Sequence, residues 1–117
     1  MGRLTTHVLD TAHGTPVAGM ALKLYRREGD AFQPLKTATT NTDGRVDSAL
    51  LEGGALSPGR YRLVFEAGDY FRRLGVKLPE PPFVDQVVID FGIADASAHY
   101  HVPLLVSPWS YSTYRGG

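Results

Sequence analysis

Apolar and polar residues alternate along most of this chain, and no long stretch repeats with the helical period. Alternation of that kind belongs to strands with one face buried, because successive side chains point to opposite faces. The pattern predicts strands at Thr5–Thr11, Met20–Glu28, Leu35–Thr42, Arg60–Ala67, Gln86–Gly92, Ala98–Val106 and Tyr111–Arg115, with a further short one around Val46–Leu50. The breaks carry turn chemistry: His13-Gly14-Thr15-Pro16, Glu28-Gly29-Asp30, Thr42-Asp43-Gly44, Ser57-Pro58-Gly59 and Pro79-Glu80-Pro81-Pro82. Seven or eight short strands in 117 residues predict an all-β fold, a two-sheet sandwich around one core, with residues 1–117 as a single domain. One short helix is expected near residues 69–75, at Tyr70–Leu74. Asp69 would be its N-cap, Arg72 and Arg73 would suit its negative end, and Gly75 would close it.

Charge narrows the partners. Twelve basic and twelve acidic side chains cancel, so nothing electrostatic favours nucleic acid or an anionic membrane. The chain has no cysteine, which excludes disulfide and thiolate chemistry and fits a reducing compartment. Its first residues lack the apolar run of a signal peptide, and no apolar stretch approaches the roughly 20 residues of a membrane span. A soluble, cytoplasmic protein is the expectation.

Strand parity then sorts the candidate chemistry. Tyr100, Val102, Leu104 and Val106 form the apolar face of their strand and should point to the core. His99, His101, Pro103 and Leu105 should point outward. His7 shares a face with Thr5 and Leu9, and Ser112 shares one with Tyr114. If these three strands are neighbours, an external wall holds His7, His101, Ser112 and Tyr114. Each residue also has an ordinary reading. His99-x-His101 has metal-ligand spacing, but no Asp, Glu or Cys sits beside it, so a polar strand face is the better reading and no metal is expected. His13 lies in a glycine-containing turn, Arg45 follows another turn, and the pairs Arg26-Arg27 and Arg72-Arg73 read as solvated charge. No phosphate-binding glycine loop or nucleophile elbow is present.

Two end segments go further. Leu4-Thr5-Thr6-His7-Val8-Leu9-Asp10 and His99-Tyr100-His101-Val102-Pro103-Leu104-Leu105-Val106-Ser107-Pro108, with Thr42-Asp43-Gly44-Arg45 between them and Tyr111-Ser112-Thr113-Tyr114-Arg115-Gly116 at the close, resemble the 5-hydroxyisourate hydrolase family, enzyme relatives of the carrier transthyretin. The end motifs are long and unusual, whereas the middle, from Pro16 to Glu66, shares its outline with many β-sandwich modules. The resemblance implies a transthyretin-like sandwich of two four-stranded antiparallel sheets. It also implies a homotetramer, a dimer of dimers, with sites in a central channel. It assigns catalysis to His7, Arg45 and His101, and substrate binding to Ser112, Tyr114, Arg115, Gly116 and Gly117. The family ending is usually Ser; here it is Gly117. Either a Ser hydroxyl is needed there, or the backbone and terminal carboxylate suffice.

The implied reaction is hydrolysis of 5-hydroxyisourate to 2-oxo-4-hydroxy-4-carboxy-5-ureidoimidazoline in urate breakdown, without cofactor or metal. An imidazole titrates near neutral pH and can serve as general base toward water; which of His7 and His101 does so stays open. Arg45 would hold the anionic purine and stabilise the oxyanion. The alternatives are a transthyretin-like carrier and a structural β-sandwich module. The carrier would gain little from three desolvated polar groups in its channel. The structural module is disfavoured because neither a secretion signal nor flanking repeats accompany the domain.

Overall fold

The computed structural model describes residues 1–117. In chain order the elements are β1 Arg3–Asp10, β2 Thr15–Pro16, β3 Ala21–Glu28, β4 Ala31–Thr39, β5 Leu51–Glu52, β6 Gly59–Glu66, α1 Ala67–Arg73, β7 Gln86–Ile93, β8 His99–Val106 and β9 Tyr111–Thr113. One sheet runs β4-β3-β6-β7, antiparallel throughout. The other runs β2-β1-β8-β9, with the two-residue β5 added beside β1; its central pair, β1 and β8, is parallel. The expected sandwich is therefore present, with a mixed rather than purely antiparallel second sheet.

Parity places the core as expected. Leu4 and Val8 of β1 and Tyr100, Val102, Leu104 and Val106 of β8 are buried from one side, against Leu22, Leu24, Tyr61, Leu63, Phe65, Val87 and Ile89 of the opposite sheet. α1 covers one end with Tyr70 and Phe71. No helix is long and apolar enough to cross a membrane.

Several boundaries move, each for a local reason. β4 begins at Ala31, not Leu35, because Gly29, at φ 62°, lets Gly29-Asp30 close a two-residue hairpin. Pro34 is tolerated there because β4 is an edge strand, and the register shifts opposite it, between Leu24 and Tyr25. Val46–Leu50 is not a strand; pairing resumes only at Leu51. β9 stops at Thr113, short of Arg115. Pro103 has no N–H for the ladder, and the Thr113 hydroxyl instead donates to its carbonyl, 2.7 Å away. α1 begins at Ala67, so Asp69 is not the N-cap: it sits in the first turn and accepts from Arg72 at 3.0 Å. Gly75, at φ 81°, closes the helix as expected.

Asp10 ties the sheet to this helix. It is 1% exposed, yet its carboxylate accepts from the Ala12 and His13 N–H groups, from His13 Nδ1 at 2.6 Å and from the Tyr70 hydroxyl at 2.9 Å. Burial, reinforced by this bond, pushes the Tyr70 hydroxyl up to about 12. Asp10→Ala leaves several of these donors without a partner. Chemical denaturation should show a loss of about 3 kcal/mol; a loss under about 1 kcal/mol would mean that water replaces the carboxylate.

Candidate functional site

The parallel register of β1 and β8 sets Arg3 beside His99, Thr5 beside His101 and His7 beside Pro103. On the solvent side this makes a row of polar groups across the two central strands of one sheet. A tight turn brings the next group in. Asn41 Oδ1 accepts from the Asp43 and Arg45 N–H groups at 2.9 and 3.1 Å, and the Asn41 carbonyl accepts from Gly44 N. Gly44, at φ 76°, then offers its carbonyl to Val8 N at 2.8 Å. A Cβ at Gly44 would stand 2.4 Å from the Val8 carbonyl oxygen, so only glycine fits this approach. The turn thereby bridges Arg45 to His7. The Asp43 carbonyl accepts from His7 Nε2 at 2.8 Å, so the proton of the neutral His7 ring is on Nε2.

A cleft of ≈ 400 Å³ opens beside this row, lined among others by Arg3, Thr5, Arg45, His99, His101 and Gly117. His101 is half-buried in its wall. Its Nδ1 meets the Thr5 hydroxyl at 2.8 Å. Its Nε2 has no partner in the chain and is not sealed from solvent. Burial, followed by the charges of Arg45, His7 and His99, holds the His101 imidazole below its usual value. It is thus an uncharged base at neutral pH. Arg45 is exposed and forms no ion pair within the chain, which leaves its guanidinium free for an anion. No group of three or more His, Cys, Asp or Glu side chains converges as metal ligands would.

The last residues divide. Gly116 rejoins β8, its N–H donating to the His101 carbonyl at 2.7 Å. It lies flat against the imidazole: a Cβ there would stand 2.6 Å from His101 Cδ2. Gly117 reaches the cleft. Arg115 turns away, its guanidinium 4.1 Å from the Tyr100 ring centroid and donating to the His99 carbonyl at 3.4 Å. Tyr114 and Arg115 line a separate cleft of ≈ 200 Å³ with Ile89 and Phe91. Ser112 stands opposite Leu105, exposed. The fold therefore gathers Arg45, His101 and Gly117 at one cleft, with His7 at its shoulder and Gly116 behind the His101 ring, and leaves Ser112, Tyr114 and Arg115 outside it. Sequence reading missed Asn41, Asp43 and Thr5 as supports, and set His99 aside. The shared parity of Thr5 with His7 and of His99 with His101 was the available signal.

The chain matches the model of the HIUase/Transthyretin family over residues 4–116. It is 63% identical over 115 residues to 5-hydroxyisourate hydrolase 2 of Rhizobium meliloti (strain 1021), covering 98% of this chain and 96% of that one. Among solved structures it resembles Klebsiella pneumoniae 5-hydroxyisourate hydrolase, with 37% identity, a TM-score of 0.82 and full coverage of both chains. It also resembles sea bream transthyretin in complex with thyroxine, with 28% identity, a TM-score of 0.87 and coverage of 97% of this chain and 94% of that one. A family match across nearly all its residues, on a sandwich of the same shape, makes this chain a member of the HIUase/Transthyretin family.

Proposed function

We propose that this chain hydrolyses 5-hydroxyisourate. The observation that carries the reading is His101 Nε2, unpartnered, at a polar cleft that Arg45 also lines. His101 takes a proton from water, whose oxygen bonds to the carbonyl carbon of the cyclic C–N linkage. Arg45 binds the anionic purine and stabilises the oxyanion. The C–N bond then breaks and the nitrogen receives the proton. His7, with its Nε2 proton committed to the Asp43 carbonyl, presents the lone pair of Nδ1, but it stands at the shoulder of the cleft and not among its lining residues, so it is assigned to orienting water. Gly116 and Gly117 bring backbone close to the base. The reaction is written without metal or cofactor. A carrier of the transthyretin kind would want an apolar channel, and this cleft is polar. Mixing the purified protein with freshly generated 5-hydroxyisourate and following ultraviolet absorbance tests the reading: decay should accelerate well beyond the spontaneous rate, and an unchanged decay would favour the carrier.

The base form of His101 must be neutral, and its proton affinity is lowered. The neutral form therefore persists to lower pH than in free histidine, and the acid limb of kcat/KM should fall below the ordinary imidazole value near 6.5. Arg45→Ala removes a cation that lowers it, so the limb should move to higher pH. A limb above the ordinary value in the native protein would exclude His101 as the base.

We further propose a homotetramer. β7 and β9 leave open sheet edges, and Leu9 and Leu105 remain only half-buried on the outer face. Trp109, Tyr111 and Tyr114 are exposed as well, and apolar surface of this kind is usually covered by closed symmetric assembly. Leu105→Glu should reduce the assembly in sedimentation and lower turnover with it. A native protein that sediments as an active monomer would contradict the assembly.

A further inference from the structure

The Thr5 hydroxyl touches two imidazoles at once. Its Oγ1 lies 2.8 Å from His101 Nδ1 and 3.0 Å from His99 Nε2. A hydroxyl has one proton to give and lone pairs to receive with. If Thr5 donates to one ring, the other ring must donate to Thr5. Only two fully bonded arrangements exist. In one, His101 Nδ1–H donates to Thr5 and Thr5 donates to His99 Nε2, which leaves the His101 Nε2 lone pair at the cleft. In the other, His99 Nε2–H donates to Thr5 and Thr5 donates to His101 Nδ1, which puts a proton on His101 Nε2. Two proton shifts along the chain of bonds reverse its direction once His101 has gained a proton on Nε2, and they leave His99 with a proton on each ring nitrogen, as an imidazolium.

We propose that Thr5 and His99 are positioning residues that hold His101 in the Nδ1–H tautomer and form a proton relay leading from it to His99. The proposal rests on the hydrolase reading above. Water gives a proton to His101 Nε2 as its oxygen bonds to the carbonyl carbon. The His101 Nδ1 proton passes to Thr5 Oγ1, and the Thr5 proton passes to His99 Nε2. His101 is then neutral and the positive charge is on His99. When the C–N bond breaks, the shifts reverse and the Nε2 proton of His101 goes to the leaving nitrogen. Protons and charge balance over the cycle, and no co-reactant is needed.

Location gives the relay its direction. Facing His101 are the cations Arg45 and, when charged, His7; Asp47 also lines the cleft. Burial and these charges oppose an imidazolium at His101. His99 is exposed, its ring centroid 6.3 Å away, with Arg3 opposite it in register, and Arg3 itself pairs with Glu52 at 3.9 Å. A charge on His99 is solvated, whereas one on His101 is only partly so.

Long-range proton–nitrogen NMR of the histidine-labelled intact protein, without substrate at neutral pH, tests the tautomer independently of any activity. His101 should carry its proton on Nδ1 and leave Nε2 bare; a native His101 protonated on Nε2 would overturn the proposal. Because no substrate enters this measurement, a protein that fails to hydrolyse 5-hydroxyisourate would sink the hydrolase reading without altering the tautomer result. Thr5→Val removes the hydroxyl at nearly constant volume and should lower kcat about 10- to 100-fold, leave KM within about twofold, and release the His101 tautomer. Thr5→Ser should restore both. His99→Gln keeps an acceptor but cannot hold the proton, so kcat should fall about tenfold or more. Native turnover in His99→Gln, or in Thr5→Val, would overturn the relay.

Discussion

His101→Asn should cut kcat by about 10²- to 10⁴-fold, the span usual for loss of a general base, while the fold persists. Asparagine keeps a polar atom near the position of Nδ1, so it can still meet the Thr5 hydroxyl at the wall of the cleft. It offers nothing at the position of Nε2, which no protein group occupies. Stability should change by no more than about 1 kcal/mol, because His101 is only half-buried and no buried donor loses its only partner. Arg45→Ala should cost about 10²- to 10³-fold by a different route, loss of the positive charge that faces the oxyanion. Its guanidinium supports nothing else in the chain, so its melting temperature should match the native value. Steady-state kinetics with thermal melts decide both. Near-native turnover in His101→Asn would remove that residue from the chemistry, and unfolding would mean that its role is structural.

The core was legible because a strand repeats every two residues: Tyr100, Val102, Leu104 and Val106 declare their face in the sequence, and the structure buries all four. The same rule set His99 and His101 on the outside. What alternation cannot encode is the identity of the neighbouring strand. The parallel pairing that sets Thr5 beside His101 joins residues 96 positions apart, and no local pattern announces it. Asn41 escaped notice because its role is to hold a turn through backbone N–H groups, a role that many asparagines fill. The helix start was misplaced for a related reason: Asp69 has the chemistry of a cap, but the chain is already helical at Ala67, directly after β6. Past Thr113 the pairing is interrupted at Tyr114 and Arg115 and resumes in the same register only at Gly116. The ladder is broken opposite Pro103, so Tyr114 no longer shares a wall with Ser112 and His101, and Gly116 returns to His101 instead.

That return makes the tail the second site of large expected effect. Chain ends are commonly expendable, but here the Gly116 N–H bonds the His101 carbonyl at 2.7 Å and its bare Cα lies against the imidazole. Deleting Tyr114 through Gly117 removes that support and the Gly117 backbone from the cleft, and should abolish measurable turnover. The cost in stability should be modest, about 1 kcal/mol, since the main attachment lost is Arg115 over the Tyr100 ring. Gly116→Ala isolates the cause. Its Cβ would stand 2.6 Å from His101 Cδ2, so ring or tail must shift, and a misplacement of about 1 Å costs up to about 10²-fold in rate. Gly117→Ser meets no such barrier, because nothing lies within 4 Å of a Cβ at Gly117; its rate should equal or exceed the native one. Comparing the truncated, Gly116→Ala, Gly117→Ser and native proteins in the absorbance assay, with melts alongside, separates support of the base from simple anchoring. If the truncated protein were fully active, Gly116 would be only an attachment point, and His101 would hold its position through Thr5 and β8 alone.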